Sequence, residues 1–97
     1  MIYIKFHKGR LSEVVSVCDK DLIGKNFSTK KLCLNIKKDF YKGELMEEKE
    51  IKKILKSASN LNIVGERSIK LALKEKIIDK DNIIRIKGVP HAQIYSV

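Results

Sequence analysis

The sequence predicts a single small domain of mixed α/β, or α+β, structure: an N-terminal β-hairpin followed by a mixed sheet that two main helices pack. Three observations predict it. Residues 2–7 alternate apolar and polar, which is the period of a half-buried strand. Two later stretches, about 46–59 and 66–76, carry apolar residues at helical spacing. Short β-rich runs lie between and after those stretches, so the order is hairpin, strand, helix, strand, helix, strand, strand.

In the first strand Ile2, Ile4 and Phe6 share one side, and Tyr3, Lys5 and His7 the other. Lys8-Gly9-Arg10 is a turn, and residues 11–18, with Val14, Val15 and Val17, form the return strand. Asp19 to Gly24 is a short helical turn or loop, with Asp19 or Asp21 as its cap and Gly24 at its end. Leu32, Leu34 and Ile36 alternate with Cys33 and Asn35 as a third strand. The helix at 46–59 has the stripe Ile51, Ile54, Leu55 and Ala58, acidic residues in its first turn, and Glu48 placed to pair with Lys52. A strand at Leu61–Val64 passes through Gly65 into the helix at 66–76, whose buried stripe is Ile69, Ala72, Leu73 and Ile77. Ile83–Ile86 and Ala92–Ser96 are the last strands, joined across Lys87-Gly88. No linker or repeat interrupts the pattern, so residues 1–97 read as one domain.

The formal net charge is +9, from 21 Lys and Arg against 12 Asp and Glu. Such an excess favours a polyanionic partner, because cations that neutralise phosphates release counterions. A compositional bias toward Lys competes with that reading, since only three of the basic residues are Arg. The densest basic stretch runs from Lys20 to Lys42. Lys20, Lys25, Lys30, Lys31, Lys37, Lys38 and Lys42 face only Asp21 and Asp39 there, with Phe27, Phe40 and Tyr41 interleaved. Exposed, those rings offer stacking surfaces; Phe27 and Phe40 read better as core. No apolar run is long enough to span a bilayer, and the alternating start is unlike a signal peptide, so a cytosolic protein without a membrane partner is expected. Cys18 and Cys33 both fall in strand-like stretches, where free Cys behaves as a small apolar residue. With two distant Cys, two His and no clustered carboxylates, neither a metal nor another cofactor is expected.

Two places have the means for chemistry. In Asn62-Ile63-Val64-Gly65-Glu66-Arg67-Ser68 a strand enters a helix through Gly, where free helical N–H groups and the dipole favour an anion, with Arg67 and Ser68 as further donors. The competing structural reading is a tight turn, with Glu66 complementing the dipole. In Lys87-Gly88-Val89-Pro90-His91-Ala92-Gln93, Pro90 rigidifies the chain and His91 and Gln93 share one strand face. His91 there suits acid–base work, a phosphate or a nucleobase. His7 reads as a surface residue.

The stretch from Asn62 to Ser68, continued by Ile69, Leu71 and Ala72, resembles one signature of the archaeal family called domain of unknown function 424. The stretch from Ile86 to Ile94 resembles another. Val17-Cys18-Asp19, Leu22-Ile23-Gly24-Lys25 and Phe40-Tyr41-Lys42-Gly43-Glu44 also fit that family. The resemblance implies an archaeal cytosolic protein of about this length, and no assigned activity or catalytic residue. By analogy with other small basic archaeal domains it points to RNA and translation.

The expected function is therefore a basic RNA-binding module associated with translation or the ribosome. In it the seven lysines make electrostatic contacts, and Arg67, Lys87, His91 and Gln93 more specific ones. The alternatives are a small nucleotide- or phosphate-binding enzyme built on the Gly65 helix N-terminus and His91, and a protein-interaction subunit.

Overall fold

The structure is a computed structural model, and it describes residues 1–10 and 12–95. Strands β1 (Ile2–Lys8) and β2 (Glu13–Asp19) form the expected hairpin in full register, from Ile2 opposite Asp19 to Lys8 opposite Glu13. Leu11, read as the start of the return strand, lies outside the described residues. A 3₁₀ turn at Lys20–Leu22 follows. Next come β3 (Asn26–Ser28), β4 (Cys33–Asn35), a one-turn helix α1 (Lys38–Tyr41) and β5 (Glu44–Met46). The second half contains α2 (Glu48–Ser57), β6 (Leu61–Val64), α3 (Glu66–Lys74), β7 (Ile83–Ile86) and β8 (Val89–Ile94).

Six strands make one mixed sheet in the order β5-β1-β2-β6-β8-β7. Among the described residues only β2 and β6 pair in parallel; the other neighbours are antiparallel. β3 and β4 form a separate two-stranded hairpin. This is the expected mixed sheet packed by two main helices, with additions.

Each strand sends alternate residues to opposite faces, and both faces are covered. Ile2, Ile4, Val15, Val17, Leu61, Ile63 and Ala92 meet Ile51 and Leu55 of α2 and Ile69, Leu71 and Ala72 of α3 in the larger core. On the opposite face Cys18, Val64 and Ile86 meet Leu34, Ile36 and Tyr41, with Phe27, Phe40 and Val89 packed around them. The segment with the seven lysines therefore lies over the face that the two long helices leave free.

Several local expectations are corrected. α2 spans 48–57, because Met46 pairs with Ile2 in the sheet and Ala58 is already extended. α3 ends at Lys74, two residues early, and Lys76 takes a left-handed φ of 59°. Lys52 pairs with Glu75 of the neighbouring helix, at 3.8 Å, and not with Glu48. β8 begins at Val89, so Pro90 sits inside a strand; Ser96, expected in that strand, lies outside the described residues. Cys33 is exposed and only Cys18 is buried; both are free thiols. Among the described residues no helix is long and apolar enough to cross a membrane.

Candidate functional site

The β6–Gly65–α3 junction is built as the sequence suggests, but it is already filled. Gly65 takes φ 110°, and a side chain there would run into Asp19. The Asp19 carboxylate, from the end of β2, accepts the N–H of Arg67 at 3.0 Å and the N–H of Ser68 at 2.8 Å. It also accepts the Ser68 hydroxyl at 2.7 Å. The anion at this helix N-terminus is thus the chain's own, which corrects the reading of Gly65 and Ser68 as a phosphate cradle. It also corrects the role of Asp19, which makes no side-chain cap on its own 3₁₀ turn.

The two sequence motifs do meet here. The Gly65 N–H donates to the Pro90 carbonyl at 3.0 Å, and Arg85 reaches both Glu66 and the Gly88 carbonyl. Lys87 and Gly88, with φ of 53° and 80°, make the tight turn between β7 and β8. Beside that turn lies a depression of about 200 Å³ lined by Asp19, Asp21, Glu66, Arg67 and the Gly88–Pro90 segment. Three carboxylates against one guanidinium make this a poor seat for phosphate. His91 is not among its walls.

His91 points to the opposite face, where a polar row crosses the sheet. Register places Ser16 beside Asn62 and Asn62 beside Gln93, with His91 opposite Val64. Tyr41 of α1 donates its hydroxyl to Asn62 Oδ1 at 2.9 Å, and His91 Nε2 donates to the same oxygen at 3.0 Å. A carbonyl oxygen only accepts, so His91 carries its proton on Nε2 and leaves Nδ1 as an acceptor. Burial lowers the His91 pKa from the ordinary value of 6.5, which favours that neutral form. Burial first, and then the neighbouring Cys18 thiol, pushes the Tyr41 phenol up to about 12, so it stays a donor.

The row continues toward β1. His7 is half-buried, a correction to its reading as a surface residue: its ring stacks on Phe40 at 4.2 Å and its Nε2 donates to the Phe40 carbonyl at 2.8 Å. Ser16 donates to the same carbonyl at 3.0 Å. Together these bonds fasten α1 to the sheet. Tyr41 is buried and Phe27 and Phe40 are half-buried, so Phe27 and Phe40 serve the second core as expected, and the Tyr41 ring serves it too rather than stacking on a ligand.

Where α1 and the β3–β4 hairpin stop, the polar face is open. Ile84, beside His91 in register, is 53% exposed, and Tyr95, just past Gln93, is 56% exposed. Gln93 is exposed as well. All seven lysines between Lys20 and Lys42 are exposed. The ion pairs among the described residues are Lys52 and Lys56 with Glu75, and Arg85 with Glu66. Arg67 and Lys87 are exposed too, and neither makes a hydrogen bond to a member of the polar row. Sequence reasoning finds Asn62, His91 and Gln93; it misses Tyr41, Ser16, Ile84 and Tyr95 as their neighbours. The i, i+2, i+4 spacing of His91, Gln93 and Tyr95 is the available signal. Among the described residues no group of three or more His, Cys, Asp or Glu side chains is placed to hold a metal ion.

These features define a class: a small α+β domain whose mixed sheet is helix-packed on one face and carries a cationic arm beside a polar row on the other. The chain belongs to the family described as protein of unknown function DUF424, which matches residues 6–97. Its fold is similar to that in the crystal structure of an uncharacterized conserved protein from Methanopyrus kandleri, with a TM-score of 0.77. The sequence identity is 25%, with 99% of this chain and 94% of that chain covered. No curated protein matches.

Proposed function

We propose that this protein is a basic RNA-binding module that works with the translation apparatus. The observation that carries the reading is that seven exposed lysines, none in an ion pair among the described residues, ride on one segment over one sheet face. The same sheet face carries His91 and Gln93, with Ile84 opposite His91 in register and Tyr95 two residues past Gln93. The cations meet phosphates without sequence preference, and these four residues supply apolar and hydrogen-bonding contact. The enzyme reading draws no comparable support, since Asp19 occupies the helix N-terminus that phosphate would need.

The test is fluorescence anisotropy with a labelled single-stranded RNA across a salt series. Engagement of all seven lysines predicts an affinity loss of about a thousandfold between roughly 50 and 200 mM salt. Tagged protein recovered from its own cells at low salt should bring RNA or ribosomal particles that high salt removes. Absence of RNA affinity at the lowest salt overturns the proposal.

A further inference from the structure

We infer that Asn62, His91 and Gln93, flanked by Ile84 and Tyr95, form a reading site for one unpaired nucleobase. The inference rests on the RNA reading above and gives that site its ligand class.

The polar atoms left over on this face alternate in kind. Asn62 Oδ1 is saturated by Tyr41 and His91, so the amide nitrogen of Asn62 remains as a donor with no partner among the described residues. No buried side-chain donor or acceptor among those residues lacks a partner, so this nitrogen reaches the surface. His91 Nδ1 is a lone-pair acceptor, because Nε2 carries the proton. Gln93, directly beside Asn62 in register, brings both a donor and an acceptor. The Watson–Crick edge of every nucleobase sets a donor next to an acceptor, and this row answers that pattern. Phosphate answers it poorly, because it would face the His91 lone pair and find no cation in the row itself.

The flanks fit a planar ring. Ile84 and Tyr95 are two of the five large hydrophobics most exposed among the described residues; Ile84 lies opposite His91 in register, and Tyr95 follows Gln93 by two residues. An apolar surface at the rim of a hydrogen-bonding row lets a base stack by its face while its edge is read. The site is also rigid. Asn62 is 6% exposed and is held by bonds from two different elements, α1 and β8, so little side-chain freedom is lost on binding. The lysine arm then holds the backbone and the β6–β8 row reads a base.

The test compares the affinity of the protein for oligo(A), oligo(C), oligo(G) and oligo(U) RNAs of equal length at one salt concentration. The wild type should spread over about tenfold between best and worst. Gln93→Ala, an exposed change that leaves the fold intact, and His91→Ala should both flatten that spread while leaving the salt slope unchanged. The Gln93 side-chain amide signal in an NMR titration should shift with the preferred oligonucleotide. Equal, salt-dependent binding of all four overturns the base site and leaves the RNA reading standing. A spread that survives Gln93→Ala and His91→Ala together also overturns the base site. Failure to bind any of the four overturns both.

Discussion

The carboxylate of Asp19 holds Ser68 twice, by its amide at 2.8 Å and by its hydroxyl at 2.7 Å, across 49 positions of sequence. A strand end thereby caps a helix that lies far along the chain. Charged hydrogen bonds of this kind contribute more than neutral ones, and Ser68 is fully buried. Asp19→Ala should destabilise the domain by about 2–3 kcal/mol, and Ser68→Ala by about 1 kcal/mol. Asp19→Asn should fall between, because its amide nitrogen would confront a second donor. Urea unfolding followed by circular dichroism measures all three. A loss under about 0.5 kcal/mol for Asp19→Ala would contradict the capping role.

Gly65 and Gly88 both have positive φ, but their surroundings differ. A β-carbon at Gly65 collides with Asp19, whereas at Gly88 it meets open space. Gly88→Ala should cost about 1 kcal/mol of backbone strain alone, and Gly65→Ala at least about twice that. Pairing Gly65→Ala with Asp19→Ala should cost less than the sum of the two, since one change removes what the other strikes. Strict additivity would refute the steric argument.

The lysine arm has a quantitative signature. Replacing Lys30, Lys31 and Lys37 by Gln should reduce the slope of log affinity against log salt by about 0.7 for each phosphate that is no longer neutralised. Lys52→Gln and Lys56→Gln, on α2 and paired with Glu75, serve as controls and should leave the slope unaltered. Equal effects from the two sets would mean that RNA does not lie on the arm's face of the sheet.

His91 should make stability depend on pH. Its folded pKa lies below the ordinary value of 6.5, so the unfolded chain takes up the proton more readily. Its contribution is therefore complete above about 6.5 and fades as the pH falls through the lower folded value. His91→Gln should flatten that acid limb of the unfolding midpoint. An identical limb in both proteins would show that His91 is equally easy to protonate folded and unfolded.

The two thiols should separate cleanly. Burial, with the charges of Asp19 and Asp21, pushes the Cys18 thiol up to about 12, while Cys33 is exposed on β4. An aromatic disulfide reagent near neutral pH should titrate one thiol in the folded protein and two in denaturant. The fast thiol should vanish in Cys33→Ser. A second fast thiol under native conditions would mean that β2 opens readily.

Much of the frame was visible in the residues themselves. The hairpin, β7 and the cores of both long helices follow from apolar spacing, and β6 from a short apolar run that is buried along its whole length. The elements that escaped are β3, α1 and β5, each three or four residues long. At that length no period can register, and β5 exists because Met46 finds Ile2, which is a tertiary choice. The face shared by His91 and Gln93 was legible from strand parity. The partnership of Tyr41 with Asn62 was not, since 21 positions separate them and no local pattern links them. Gly65 was the most instructive position: its conformation advertised an anion, and the anion turned out to be a side chain of the same molecule.

The parallel seam between β2 and β6 bears on how the protein assembles. Everything from residue 20 to residue 60, the lysine arm included, is threaded between those two strands, so the seam forms only after a long, highly cationic loop closes. Loop closure of that length slows folding, and mutual repulsion among seven like charges adds to the barrier until ions screen it. Refolding should accordingly quicken as ionic strength rises, while the hairpin of β1 and β2 forms early and waits for its third neighbour.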